Sequence, residues 1–389
     1  MSKLVENQFS RPKQGPLDFA DSPLSRVALQ PFMLGLFLPL QSGGWSPSTL
    51  PRSTTWHFDY NAALAKRAEE LGFDLVFGLS KWLGKGGYGG ETNYHGISLD
   101  PFMVANALAS VTSRILLVST LHVLYGPWHP LHLARFGATL DHISGGRWGI
   151  NVVTGHRASE HRRFGKTPIE HDLRYGMADE FIDIVKEIWA AEDNVTLSGH
   201  YWNVEEAYEA VKPNFGRPLI VNASGSKTGI DFAARHSDIL FTSSPTGEAI
   251  EDAVASLPAL VGQVRERAAE TGRTVRTLVN PIVICRDTEA EAAAYRDAII
   301  AAADWGAIGG FGSEASDAKA WQNFENAKRG LGSNVIHIVG SPEQVVDQFI
   351  QLKNTGVDGV QMSFFDFEPD LEHFGSAVLP ILKQAGLRL

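Results

Sequence analysis

The chain has 389 residues, a formal net charge of −10 and a single cysteine, Cys285. That length holds one large domain or two medium ones. Scattered Lys and Arg exclude a nucleic-acid face, the lone cysteine excludes an intrachain disulfide, and no run of ~20 apolar residues is present to cross a membrane. The default compartment is the cytoplasm, with Cys285 a small buried hydrophobe in the run Pro281–Cys285.

Residues 1–29 are polar, lack the apolar core of a secretory signal, and read as an extended N-terminal arm packing on a neighbour. From there apolar runs alternate with helical patterns. Phe32–Leu38 is the first expected strand, Tyr60–Leu71 a helix and Phe73–Gly78 the second strand. Pro101–Val111 is a helix, Ile115–Ser119 the third strand, Pro130–Leu140 a helix and Trp148–Val153 the fourth strand. Met177, Phe181, Val185 and Ile188 share one helix face. Leu219–Asn222, Asp238–Thr242, Val279–Cys285 and Val357–Ser363 complete eight strands. Short strands apolar on both faces, alternating with helices, predict a covered parallel sheet. Eight such units predict an α/β fold of the (β/α)8 TIM-barrel type with loop insertions on the carboxyl face. The insertions are about residues 80–99 and 305–334, and residues 30–389 read as one barrel domain.

The stretch Leu140–Gly155 carries most information: a helix end, the turn Gly145-Gly146, then an apolar strand ending in polar residues. Asn151, between Ile150 and Val152, must find hydrogen-bond partners wherever it is buried. Val221-Asn222-Ala223-Ser224-Gly225-Ser226 ends a strand and opens a helix, a geometry that offers backbone N–H groups to an anion. The residues alone favour simple capping by Ser224 and Ser226. His129 and His132 have helical spacing but no third ligand nearby, so no metal is expected. Gly84–Gly90 lacks the ending of a phosphate loop and reads as a mobile lid, and no glycine fingerprint of a nicotinamide site follows a strand.

Ala138–Arg147 with Asn151–Gly155 resembles the bacterial-luciferase-like, flavin-dependent monooxygenases. Val111–Ile115, His171–Tyr175, Gly199–Trp202, Asn222–Ser226, His337–Pro342, Phe364–Phe367 and Phe374-Gly375 match in the same order. The nearest branches are the dimethylsulfone monooxygenases and the pyrimidine monooxygenases. The resemblance implies reduced FMN and O2 as cosubstrates, NAD(P)H acting only through a separate flavin reductase, and a homodimer or homotetramer. It implies Ser226 and Ser224 with Gly225 at the FMN phosphate, and Arg174 and Tyr175 as further FMN contacts. Ser80, Lys81 and Glu160 match flavin-contacting residues, and Thr120 and Asn151 match a pair that places O2. A lysine near the pyrimidine edge of the ring stabilises negative charge there, and an amide and a hydroxyl donate hydrogen bonds without being oxidised.

The chain departs from these branches at His156, where they carry Trp, and at Val123, where the pyrimidine branch carries Thr. Gly126-Pro127-Trp128 resembles the dimethylsulfone branch instead. Trp45, Trp82, Trp128, His156 and Phe365, with Tyr88, are the expected substrate walls, and Asp366 an expected partner of Lys81 or His156. The implied substrate is a small organic molecule: a sulfone or sulfonate, an N-heterocycle or a halogenated compound. The alternatives are an F420-dependent hydride-transfer enzyme of the same fold and a non-catalytic flavin-binding protein.

Overall fold

The computed structural model describes residues 14–125, 128–313, 330–332 and 335–389. The expectations for residues 1–13, for Gly126-Pro127 and for most of the 305–334 insertion lie outside the described residues.

In chain order the elements begin with α1 (Pro23–Val27), β1 (Met33–Phe37), α2 (Phe58–Leu71), β2 (Leu75–Gly78), α3 (Pro101–Ala109) and β3 (Leu116–His122). Next come α4 (Pro130–Ser144), β4 (Trp148–Val153), α5 (Ala158–Arg163), α6 (His171–Ala190), β5 (Val195–Ser198), β6 (Asn203–Ala207) and β7 (Leu219–Ala223). They continue with α7 (Lys227–His236), β8 (Ile239–Thr242), α8 (Ile250–Glu270), β9 (Arg276–Val279), β10 (Pro281–Cys285), α9 (Glu289–Ala301) and α10 (Trp305–Ser313). The last are β11 (Ile336–Gly340), α11 (Pro342–Asn354), β12 (Gly359–Met362), α12 (Phe367–His373) and α13 (Leu379–Gln384).

Eight parallel strands close into a barrel in the order β1-β12-β9-β8-β7-β4-β3-β2, which is the (β/α)8 architecture. The seventh expected strand is corrected. Val279–Cys285 spans the end of barrel strand β9 and all of β10, which pairs in parallel with β11 outside the barrel. Pro281 opens β10, and its ring fixes the backbone where the chain leaves the barrel wall. Of the expected arm, residues 14–29 are described. Residues 16–18 form a 3-10 turn, and Ser22 caps α1 by accepting from Ser25 N at 3.0 Å. Leu24 then buries itself among Met33, Leu75, Leu116, Leu219, Ile239 and Leu278, closing the barrel floor of its own chain.

The stretch before β4 is built by ordinary rules. Pro130 starts α4, and Gly145 ends it in the left-handed region (φ 64). Arg147 then ties three elements together: Nε donates to Ser144 O at 2.8 Å, Nη2 to Ala109 O at 3.0 Å and Nη1 to Ile115 O at 3.2 Å. A buried guanidinium spending its donors on carbonyls fixes the end of α3, the end of α4 and the start of β3 relative to one another. The consequence is register: Thr120 pairs with Asn151 across β3 and β4. Gly199–Trp202, one of the matched stretches, is the hairpin turn between β5 and β6. Glu180 accepts from the N–H groups of His200, Tyr201 and Trp202 at 2.9, 2.9 and 2.8 Å. It is scaffold.

Candidate active site

The carboxyl ends of the strands open into a cleft of about 1100 Å³ measured out to its mouth. Most of the residues that line it carry polar side chains. A second, aromatic chamber adjoins it and shares Leu79, Lys81, Ala223, Phe241, Ser243 and Asn280 as a common boundary.

At one end of the polar cleft β7 runs into α7. Ser226 caps that helix, accepting from Gly229 N at 3.1 Å, so the capping reading holds. The cap uses a lone pair of the hydroxyl and leaves its hydrogen to donate. Ser224 Oγ accepts from Tyr175 OH at 3.3 Å and from Ser226 N at 3.3 Å. A Cβ on Gly229 would fall 1.8 Å from Ser224 Oγ and 2.7 Å from Tyr175 OH, so only glycine leaves this cradle open. Arg174 and Gly225 line the same end. Small residues, hydroxyl donors, an arginine and a ten-residue helix N-terminus fit the phosphate of FMN.

At the other end stand Thr120 and Asn151, each inside its strand rather than at its tip, and both fully buried. Asn151 Nδ2 donates to Thr120 Oγ1 at 2.9 Å, while Asn151 Oδ1 has no hydrogen-bond partner. Asn222 repeats the pattern: Nδ2 donates to Val152 O at 2.9 Å and Oδ1 is unpartnered. Such buried orphans are uncommon and mark where a ligand completes the hydrogen bonding.

Between the ends lies a buried charge cluster. Glu160 is not a surface helix charge. Its Oε2 accepts from Tyr125 OH at 2.6 Å and its Oε1 from Trp82 N at 3.3 Å, and His122 Nε2 lies 3.7 Å from Oε2. Burial opposes its charge, but His122 and Lys81 outweigh that and hold it below the usual carboxylate range. Lys81 is lowered to about 7, first by burial, then by the Arg157 charge, with Glu160 opposing. His122 is lowered to about 4, chiefly by burial. His156 is lowered well below its ordinary value by burial and then by Arg157 and Lys81. It therefore lines the polar cleft as a neutral ring.

Every expected cofactor residue lines this cleft: Ser80, Lys81, Asn151, Glu160, Arg174, Tyr175, Ser224, Gly225 and Ser226, with Thr120. The expected substrate walls fare differently. Trp45 lines the aromatic chamber, held by Nε1 donating to Phe37 O at 3.2 Å. Trp128 packs on Phe102 and Phe136 between α3 and α4 instead. Trp82 is exposed and edges onto Phe164. Phe365 is core, packed with Ile282, Ile284, Ile299 and Leu331. Asp366 pairs with neither Lys81 nor His156; it accepts from Ser53 N at 3.0 Å and Thr54 N at 3.0 Å. The glycine-rich loop is packed rather than loose. His95 Nε2 meets Gly44 O at 2.8 Å, Thr92 N donates to Asp304 at 2.8 Å, and Tyr88 is buried against Phe311.

The sequence reading missed Arg157, His122, Asn222 as a polar wall, and Gln361. For His122, Asn222 and Gln361 a polar residue inside an apolar strand was the available signal, whereas Arg157 precedes α5 and carries no such signal. Among the described residues one group has metal-ligand spacing, Asp179, Asp183 and His236. It is already engaged, by Arg235 on Asp179 at 2.8 Å and Lys186 on His236 at 2.7 Å.

Comparisons with known proteins bear on the family and the fold. The profile of the luciferase-like monooxygenase family matches residues 33–359. The chain is 34% identical over 366 residues to an FMNH2-dependent dimethylsulfone monooxygenase of Pseudomonas putida, covering 91% of this chain and 96% of the relative. It is 30% identical over 360 residues to the pyrimidine monooxygenase RutA of Acinetobacter baylyi, covering 90% and 94%. In fold it is similar to DmoA from Hyphomicrobium sulfonivorans (TM-score 0.78, 20% identity, 92% and 89% covered). It is likewise similar to a long-chain alkane monooxygenase (TM-score 0.77, 24% identity, 92% of each chain covered).

Proposed function

The chain belongs to the luciferase-like monooxygenase family, and on that premise we propose that it is a two-component monooxygenase. In this reading it takes reduced FMN from a separate NAD(P)H:flavin reductase and uses O2 to oxidise or cleave a small organic molecule. The substrate class is a sulfone or sulfonate, an N-heterocycle or a halogenated compound. The observation that carries it is the pairing of the two chambers: a polar cleft running from the Ser224–Ser226 cradle to Asn151 and Thr120 adjoins an aromatic one across shared wall residues. In this reading the cofactor takes the polar cleft and the substrate the aromatic chamber beside it, the proximity that oxygen transfer requires.

Reduced FMN, once bound, would supply the electrons that activate O2. The chain's residues do the rest. Ser224, Ser226 and the α7 N-terminus hold the phosphate, with Arg174 and Tyr175 beside it. Lys81, protonated below about 7, favours negative charge at the ring. Asn151 and Thr120 form a fixed amide–hydroxyl pair aimed into the cleft, suited to orienting oxygen. Phe37, Trp45 and Phe311 keep water from the second chamber. The same reading takes the enzyme as cytoplasmic, as a homodimer or homotetramer, and residues 30–389 as its single domain.

The test is a titration with FMN and with F420, followed by O2 consumption with an added flavin reductase. Submicromolar to micromolar binding of reduced FMN, with substrate-dependent O2 uptake, is expected. Tight binding of F420 alone removes the reading. Flavin binding with no substrate-dependent uptake across the three substrate classes makes the protein a flavin carrier instead.

A further inference from the structure

The aromatic chamber holds four polar side chains that the cofactor site does not use, Tyr94, His95, Gln361 and Ser363, and of these Gln361 alone has every polar side-chain atom without a partner. Gln361, on β12, is fully buried and lines the aromatic chamber but not the polar cleft. Neither its Oε1 nor its Nε2 has a hydrogen-bond partner. The fold makes room for it: the paired position on β1 is Gly35, where a Cβ would lie 3.3 Å from Gln361 Oε1. The register Val360–Val279 sets Asn280 beside it, and Asn280 Oδ1 is also buried and unpartnered. The other walls include Phe37, Trp45, Phe77, Phe241 and Phe311.

A buried amide with both polar atoms unpaired is costly, and an aromatic chamber gains nothing by holding one. A ligand that pairs both atoms recovers that cost. A primary amide offers a donor and an acceptor side by side in one plane. Its complement is a cis-amide edge, N–H next to C=O, as in a lactam, ureide or imide; glutamine reads adenine by the same two-bond geometry. A flat ring also suits the aromatic walls. A molecule with acceptors alone, such as a sulfone, would satisfy Nε2 and leave Oε1 bare.

We infer that Gln361 determines the specificity of the aromatic chamber, selecting a small uncharged molecule with a cis-amide edge over one that offers acceptors only. The inference rests on the polar cleft being the flavin site. The flavin ring has an imide edge of its own, so the experiment separates cofactor from substrate.

The probes are 2-piperidone, N-methyl-2-piperidone, which lacks the donor, and dimethyl sulfone. Their binding to the full chain is read by ligand-observed NMR with and without oxidised FMN, and FMN affinity is read by fluorescence. Wild type is expected to bind 2-piperidone at least tenfold more tightly than the other two. Gln361→Leu should erase that preference and leave FMN affinity within twofold; Gln361→Met repeats the test should the leucine variant fail to fold, and the wild-type N-methyl comparison needs no variant. Equal binding of the three probes, no binding of 2-piperidone, or a preference that survives both variants overturns the inference. So does a tenfold loss of FMN affinity with probe binding unchanged, which would assign the amide to the cofactor. Failure of the flavin reading shows separately, as wild type that does not bind FMN, and the probe comparison without FMN still decides the role of Gln361.

Discussion

The two ends of the barrel are built from the same strands and solve opposite problems. At the floor Met33, Leu75, Leu116, Leu219, Ile239 and Leu278 pack together under Leu24, with no polar atom among their side chains. At the mouth, Asn151 on β4, Asn222 on β7 and Asn280 just past β9 each keep a buried oxygen without a partner, and Gln361 on β12 keeps two such atoms. Burial is comparable, so exposure does not explain the difference. The floor spends its buried area on stability, and the mouth gives some up to hold groups that only a ligand completes. Substitutions at the two ends should therefore separate folding from function.

The largest effect is expected at the floor. Leu116→Ala removes a fully buried side chain from a closed apolar layer. It should lower unfolding free energy by about 2–5 kcal/mol, measured by urea denaturation, while the folded fraction binds FMN as wild type does. A loss of FMN affinity in the folded fraction would show that the ends are coupled. Next comes Asn151→Ala. Removing a fixed donor at a site of developing charge costs about 10²–10³ in kcat; O2-uptake kinetics should show that loss with FMN affinity and stability nearly unchanged, and Thr120→Val should behave alike. Unaltered turnover in both would sink the oxygen-site assignment. Gly229→Ala should act on the cradle alone, since its Cβ would meet Ser224 Oγ at 1.8 Å. A rise in the FMN Kd of at least about tenfold is expected, with kcat recovered at saturating FMN.

The contrast also explains what the sequence reveals. Eight apolar runs are legible because parallel strands covered on both faces leave no polar period. The run Val279–Cys285 misleads for the same reason: both sides of the Asn280–Pro281 step are buried, so hydrophobicity does not mark where the chain leaves the barrel. Asn151 is legible because an amide between Ile150 and Val152 needs a reason. Gln361, between Val360 and Met362, carries the same signal and is missed only because no matched motif draws attention to it. The aromatic walls are least legible. Trp45, Trp128 and Phe365 are alike as residues, and only the tertiary path puts one in the chamber and two in packed helix or core contacts. The ion pairs that fix the frame, Arg217 to Asp238 at 2.7 Å and Arg388 to Asp74 at 3.0 Å, join residues far apart in sequence and have no local signature.

The smallest expected effect lies at the boundary between the two chambers and concerns pH. Burial and the Arg157 charge bring Lys81 down to about 7 from an ordinary value of 10.5. Between those values the unfolded chain holds a proton there that the folded one has lost, so this residue's contribution to stability rises with pH across that window. Ligand binding runs the other way. Below about 7 the lysine is a cation facing an anionic reduced flavin, and above it the attraction fades. The affinity for reduced FMN should thus be flat below about 7 and fall above it to a plateau, by less than about tenfold in all. Lys81→Met should remove that step, and its difference from wild type isolates the lysine from the phosphate's own titration. Glu160 opposes the shift, so Glu160→Gln should move the step to lower pH rather than abolish it. An unmoved step in Glu160→Gln would mean that the acid does not act through Lys81, and the boundary would then belong to the polar cleft alone.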